Sequence, residues 1–151
     1  MNIEQFSEQD IAQITETVEK AEKNTSGEIC VRIVEYCEPQ VHGNAYKQAQ
    51  VEFERLGMAH TKDKTGVLVL IVTKAKKFAI IGDLGIHEKL PPDYWQQMSS
   101  FLTLHFEEGK FADGVCKVVE EIGRQLADHF PRKSDDTDEL SNAPVIGEQN
   151  E

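Results

Sequence analysis

A chain of 151 residues is long enough to bury one core of its own without disulfides or metals to staple it. Its 27 acids against 16 bases give a net charge of −11, and such a surface repels phosphate backbones and anionic lipid. Nucleic-acid binding and membrane-surface binding are therefore not expected, and cations are the favoured small partners. No run approaches the roughly 18 apolar residues that a bilayer span needs. The opening stretch "MNIEQFSEQDIAQI" has no basic segment followed by an apolar one, so no signal peptide is expected. Cys30, Cys37 and Cys116 are an odd number with no CxxC pair, which predicts a reduced, cytoplasmic protein. The triplet Asn24-Thr25-Ser26 matches a glycosylation acceptor by chance alone.

In chain order, Ser7 opens a capping-box pattern, with Asp10 in the place of the usual Glu. Ile11, Ile14, Val18 and Ala21 follow at helical spacing, until Asn24 and Gly27 stop the helix. "EICVRIVEY" is β-branched and reads as a strand with one face more buried. "CEPQVHGN" turns the chain, and Ala45 to Leu56 reads as a helix ended near Gly57. "VLVLIV" is a strand buried on both faces. "TKAKK" is short enough for a hairpin leading into "FAIIG". After the loop "GDLGIHEKL", Pro91 or Pro92 opens a helix whose inward stripe is Tyr94, Trp95, Met98, Phe101, Leu102 and His105. The last helix carries Phe111, Val115, Val118, Val119, Ile122, Leu126 and Phe130 on one face, and Pro131 stops it.

The order α-β-α-β-β-α-α, with about three strands and four helices, predicts an α/β sandwich of one sheet with helices on its faces. Residues 1–131 form a single domain in this reading. Residues 132–151 are acidic and polar, and are expected to be a mostly disordered tail. Within that tail "DDTDEL" lacks the glycine and closing Glu of a calcium loop.

Nucleophilic and phosphate-loop chemistry find no support. There is no GxSxG, Ser26 reads as a turn residue, and "GDLGIH" has an acid where a phosphate would sit. The five histidines share no zinc spacing, and His105 on an apolar stripe reads as a hydrogen-bonded core residue. Carboxylates remain. The hairpin sets the start of one strand beside the end of the next, so Asp63 and Asp83 fall at the same end of the sheet. Glu88 and Asp93 lie five and ten residues beyond Asp83, and hard cations take such oxygens. The plainer reading is that loop acids are ordinary, with Asp93 a helix first-turn acid favoured by the dipole.

"TSGEICVRI", "LGMAHTKDKTGVLVLIV", "KKFAIIGDLGIHEKLPPDYW" and "FEEGKFADGVCKVVEEIGRQLADHFP" together resemble the TPM domain family, over roughly residues 5 to 131. That family includes the thylakoid-lumen repair protein of photosystem II, described as an acid phosphatase, and many bacterial proteins. The resemblance implies a three-layer α/β/α sandwich around a central sheet of about four strands. It also implies an acidic cleft at one sheet end that takes calcium or magnesium in some members. By motif, the family's strand entry matches Gly66-Val67-Leu68, with Thr65 standing where an asparagine is usual. The glycine-rich loop with its acid matches Gly82, Asp83, Gly85 and Glu88, and a later acid matches Asp93. Gly109, Phe111 and Gly114 match the phenylalanine-glycine segment. Unlike membrane-anchored relatives, this sequence carries neither transmembrane helices nor a glycine-rich tail.

The expectation is a soluble monomer that binds a divalent cation, calcium first and magnesium second. Asp63 and Asp83 would be direct ligands, and Glu88 and Asp93 would be direct or one layer behind. One alternative is a weak metal-dependent phosphatase with His87 as general acid, against which stands the lack of a basic clamp beyond Lys89. The other is a metal-independent module whose tail or cleft engages a protein partner.

Overall fold

The computed structural model describes residues 6–60, 64–132 and the backbone of 145–147. Helix α1 (Glu8–Glu22) begins with the expected capping box: Asp10 N–H donates to Ser7 Oγ at 3.1 Å, and Ser7 N–H donates to Asp10 Oδ2 at 2.9 Å. Asp thus does the work of the usual Glu, satisfying two amides that the first turn leaves open. Strand β1 (Glu28–Val34) follows, then α2 (Ala45–Arg55), capped by the Asn44 side chain. Strands β2 (Gly66–Val72) and β3 (Lys77–Gly82) form the hairpin, turned through Lys76 at φ 56°. Then come the one-turn helix α3 (Leu84–His87), α4 (Tyr94–Glu107) and α5 (Phe111–His129).

The fold is mixed α/β. In the sheet β2 lies between β1, to which it runs parallel, and β3, to which it runs antiparallel. Every residue of β2 is buried, because helices cover both sheet faces. Ile29, Val31, Ile33, Val67, Val69, Ile71 and Ile80 pack with α1, α4 and α5. The alternate residues Cys30, Val34, Leu68, Leu70, Val72, Ala79 and Ile81 pack with Ala49, Phe53 and Met58 on the other side. Two-residue periodicity thus sends one strand into two cores. Cys30 and Cys116 sit in these cores as free thiols, and burial pushes Cys30 up to about 11.

Several expectations are corrected. Three strands, not about four, make the body of the sheet. A fourth, β4 (Val145–Gly147), is added at the outer edge of β1 by residues assigned in sequence to the tail, giving the order β3-β2-β1-β4. The described residues hold five α-helices rather than four, the extra one being α3 inside the stretch read as a loop. Neither proline opens α4; it starts at Tyr94 with Asp93 as its N-cap residue. Among the described residues no helix is long and apolar enough to cross a membrane.

Candidate metal centre at one end of the sheet

The hairpin register brings Val67 opposite Gly82, so the start of β2 and the end of β3 meet. Three successive carbonyls then hold the neighbouring segments. Lys64 O accepts from Gly85 N–H at 2.9 Å, Thr65 O from Glu28 N–H at 3.3 Å, and Gly66 O from Asp83 N–H at 2.9 Å. Lys64 takes φ 57° to enter this row. The loop after β3 is therefore pinned to the entry of β2 by backbone bonds, which fixes where Asp83 begins.

Asp83 is the N-cap of α3: its Oδ1 accepts the Leu84 N–H at 2.8 Å, holding a turn that the sequence pattern was too short to signal. Its other oxygen, Oδ2, is buried and has no hydrogen-bond partner among the described residues. A buried oxygen left in this state is costly, because water is excluded and no donor replaces it. Gly82 lets Trp95 close over the loop. A Cβ there would lie 2.7 Å from the indole Cζ2, so only glycine fits without moving the ring. The indole N–H donates to His87 Nδ1 at 3.3 Å. That bond occupies the Nδ1 lone pair and leaves the neutral ring's proton on Nε2, so His87 serves as a donor here rather than a ligand through Nε2.

The other sequence-predicted residues are less converged. Glu88 is the exposed C-cap residue of α3. Asp93 makes no capping bond; its Oδ2 accepts from Gln97 Nε2 at 2.9 Å. Asp63 lies outside the described residues. No group of three or more His, Cys, Asp or Glu among the described residues is gathered so as to hold a metal ion. Sequence reasoning passed over Glu28. This residue is 3% exposed and pairs in register with Gly66, on whose other side Asp83 is bonded. Two strand spacings put the Glu28 and Asp83 Cα atoms roughly 10 Å apart. The signal lay in "SGEI", where an acid at the first position of an apolar strand must either be buried or turned to the sheet end.

Among the described residues, the basic side chains near the loop do not form an anion clamp. Lys64 Nζ donates to Ala59 O at 2.9 Å, and Lys89 is exposed. His105, as expected, is a core-facing residue with Nδ1 3.1 Å from Phe101 O.

Comparison with known proteins follows the same lines. The fold is similar to the NMR structure of the BA42 protein from the psychrophilic bacterium Bizionia argentinensis, with a TM-score of 0.83 and 35% identity. That match covers 93% of this chain and 94% of the other. The N-terminal domain of a P. gingivalis protein (TM-score 0.67, 15% identity, 84% of this chain and 82% of that one) shares the fold. So does the N-terminal domain of the cg2496 protein from Corynebacterium glutamicum (0.62, 11%, 82% and 76%). No curated protein matches. The family model described as the TPM domain matches residues 3–125, and the chain belongs to the TPM domain family.

Proposed function

We propose that this TPM domain binds a divalent cation, calcium in preference to magnesium, at the sheet end where β2 starts and β3 stops. We also read its layers as an α/β/α sandwich with the cleft at that end. The observation that carries the reading is the buried Oδ2 of Asp83, which has no hydrogen-bond partner among the described residues, while Oδ1 is used by the turn. A cation is the natural partner for such an oxygen in a chain of net charge −11. Asp83 anchors the ion and Asp63, three positions before β2 in the sequence, is its second direct ligand. Glu28 approaches from the strand row, and Glu88 and Asp93 complete the acidic rim directly or through water. Calcium is preferred because its six to eight oxygens at 2.3–2.6 Å tolerate an irregular loop, whereas magnesium demands a tighter octahedron. With Lys64 engaged by Ala59 O and no anion clamp among the described residues, the site is read as one for binding ahead of phosphate-ester hydrolysis.

The test is titration of the full chain with calcium, then magnesium, followed by amide shifts. Calcium is expected to move residues 61–66 and 82–93 and the amide of Glu28, with magnesium moving the same set at higher concentration. Saturation without movement in either segment sinks the proposal.

A further inference from the structure

At the hairpin end of the sheet, away from Asp83, a cavity of about 560 Å³ opens between β3, the last turn of α4 and the start of α5. That size falls within the roughly 300–1,000 Å³ of sites that hold small molecules. Three phenylalanines form its apolar wall. Phe106 meets Phe78 edge-on with ring centroids 5.6 Å apart and Phe111 edge-on at 5.3 Å, and all three rings are only partly buried. The edge-to-face chain fixes the rings against one another, so the wall is formed before any ligand arrives. Gly109, at φ 75°, adds no side chain to fill the space.

Two charges stand on the rim. Lys76 arrives from the hairpin turn, held at φ 56° with its N–H donating to Thr73 O at 3.3 Å, and Glu107 is the last residue of α4. Their chain neighbours are engaged: Lys77 Nζ donates to Gly43 O at 2.8 Å, and Glu108 pairs with Lys110 at 3.3 Å. Among the described residues, neither Lys76 nor Glu107 has an ion pair or a side-chain hydrogen bond, with each other or with any other group. A carboxylate in the last turn of a helix also faces the negative end of the dipole, so the fold by itself disfavours Glu107. A cationic group in the cavity relieves that repulsion, and an anionic one answers Lys76.

We propose that this cavity binds a small zwitterion with an aromatic or apolar body, the class of apolar amino acids and dipeptides. The body lies on Phe78, Phe106 and Phe111, the ammonium pairs with Glu107 and the carboxylate with Lys76. Thr103 Oγ1 donates to Ser99 O at 2.9 Å and keeps its lone pairs for a ligand N–H. Charge complementarity disfavours simpler ligands: a plain carboxylate gains Lys76 but meets Glu107, and a plain amine gains Glu107 but meets Lys76. Asp83 lies seven positions beyond Lys76, roughly 20 Å along extended chain, so this site does not depend on cation binding.

The experiment titrates the full chain with the dipeptide phenylalanyl-phenylalanine and follows amide shifts. Residues 76–78 and 103–111 should move to saturation while residues 82–93 keep their positions. The N-acetyl form lacks the ammonium and the C-terminal amide form lacks the carboxylate, and each should bind about tenfold more weakly. Glu107→Gln should bind the free dipeptide about tenfold more weakly and no longer distinguish it from the N-acetyl form. Lys76→Asn, which suits the left-handed backbone, should do the same for the amide form. Both positions are exposed, so both variants should fold as the parent does. No saturable shift around the cavity overturns the site. Discrimination that survives both substitutions overturns the roles of Lys76 and Glu107. Equal binding of the free and doubly blocked dipeptides gives the cavity to a segment of longer chain and overturns the zwitterion. Shifts of the same residues that grow with protein concentration, without ligand, assign the cavity to a second copy of this chain and overturn the proposal.

Discussion

Two acidic regions of this molecule differ in whether their oxygens are used. On the α2 side of the sheet, Glu52 is 1% exposed, yet its Oε1 accepts from Gln48 Nε2 at 3.1 Å and its Oε2 from Arg32 Nε at 2.9 Å. Glu38 joins the same network through Gln48 at 2.8 Å and Arg55 at 2.7 Å. At the other region, Asp83 has one oxygen in a turn and one buried without a donor among the described residues. A buried carboxylate oxygen therefore has two meanings. A closed network holds the fold together, and an open oxygen awaits a ligand.

The largest effect that could break this contrast is Glu52→Ala. Removing the shared acceptor strands the Arg32 guanidinium and leaves the Gln48 amide with Glu38 alone, and should cost about 3 kcal/mol in urea unfolding. A loss under about 1 kcal/mol would make the closed network a surface feature and erase the distinction. At the open site, Asp83→Asn keeps an acceptor for the Leu84 N–H and should leave calcium-free stability within about 0.5 kcal/mol of the parent. The calcium-dependent gain, about 2.7 kcal/mol at a hundred times Kd, should vanish in thermal unfolding. Retention of that gain moves the cation elsewhere.

Gly82→Ala sharpens the comparison by testing how rigidly the open site is built. Its Cβ would meet the Trp95 ring at 2.7 Å, so a loss of about 1–3 kcal/mol is expected, with altered indole fluorescence reporting displacement of the ring from His87. The smallest effect concerns pH. The hydrogen bond from Arg55, then that from Gln48, holds the Glu38 carboxyl below the usual carboxylate range. A carboxylate depressed in the folded state stabilises above its unfolded value of about 4.3, and that contribution fades as pH falls through the lower folded value. Arg55 is half-exposed, so solvent screening limits the contribution to about 0.5 kcal/mol. Glu38→Gln should therefore be slightly less stable than the parent at pH 6 and indistinguishable from it near pH 2, as followed by urea midpoints.

Much of this architecture could be read from the residues. The apolar spacing of α1 and α5 and the unbroken run of β2 specify their elements, because burial of one helical stripe or of both strand faces leaves few alternatives. Asp10 at the third helical position specifies the start of α1 as well. The sheet end shared by the β2 entry and the β3 exit followed from hairpin geometry before any tertiary information. The TPM motifs in "GVLVLIV" and "GDLG" named the family, and its model covers residues 3–125.

Other features depend on partners distant in the chain, and local pattern could not reveal them. Helix α3 is four residues long, below any periodic signal, and exists because Asp83 caps it while Lys64 O and Gly66 O hold its entry. Glu28 became a candidate only when the parallel pairing of β1 with β2 set it beside Gly66, since register between strands 38 residues apart leaves no local mark. The short strand Val145–Gly147 carries no periodic signal and is extended because β1 offers it an edge. The sequence by itself determined which segments are helix and strand and which faces are apolar, because those follow from neighbours within a few residues. Only the tertiary structure decided which acids have their oxygens satisfied, because that depends on donors delivered by other strands and helices.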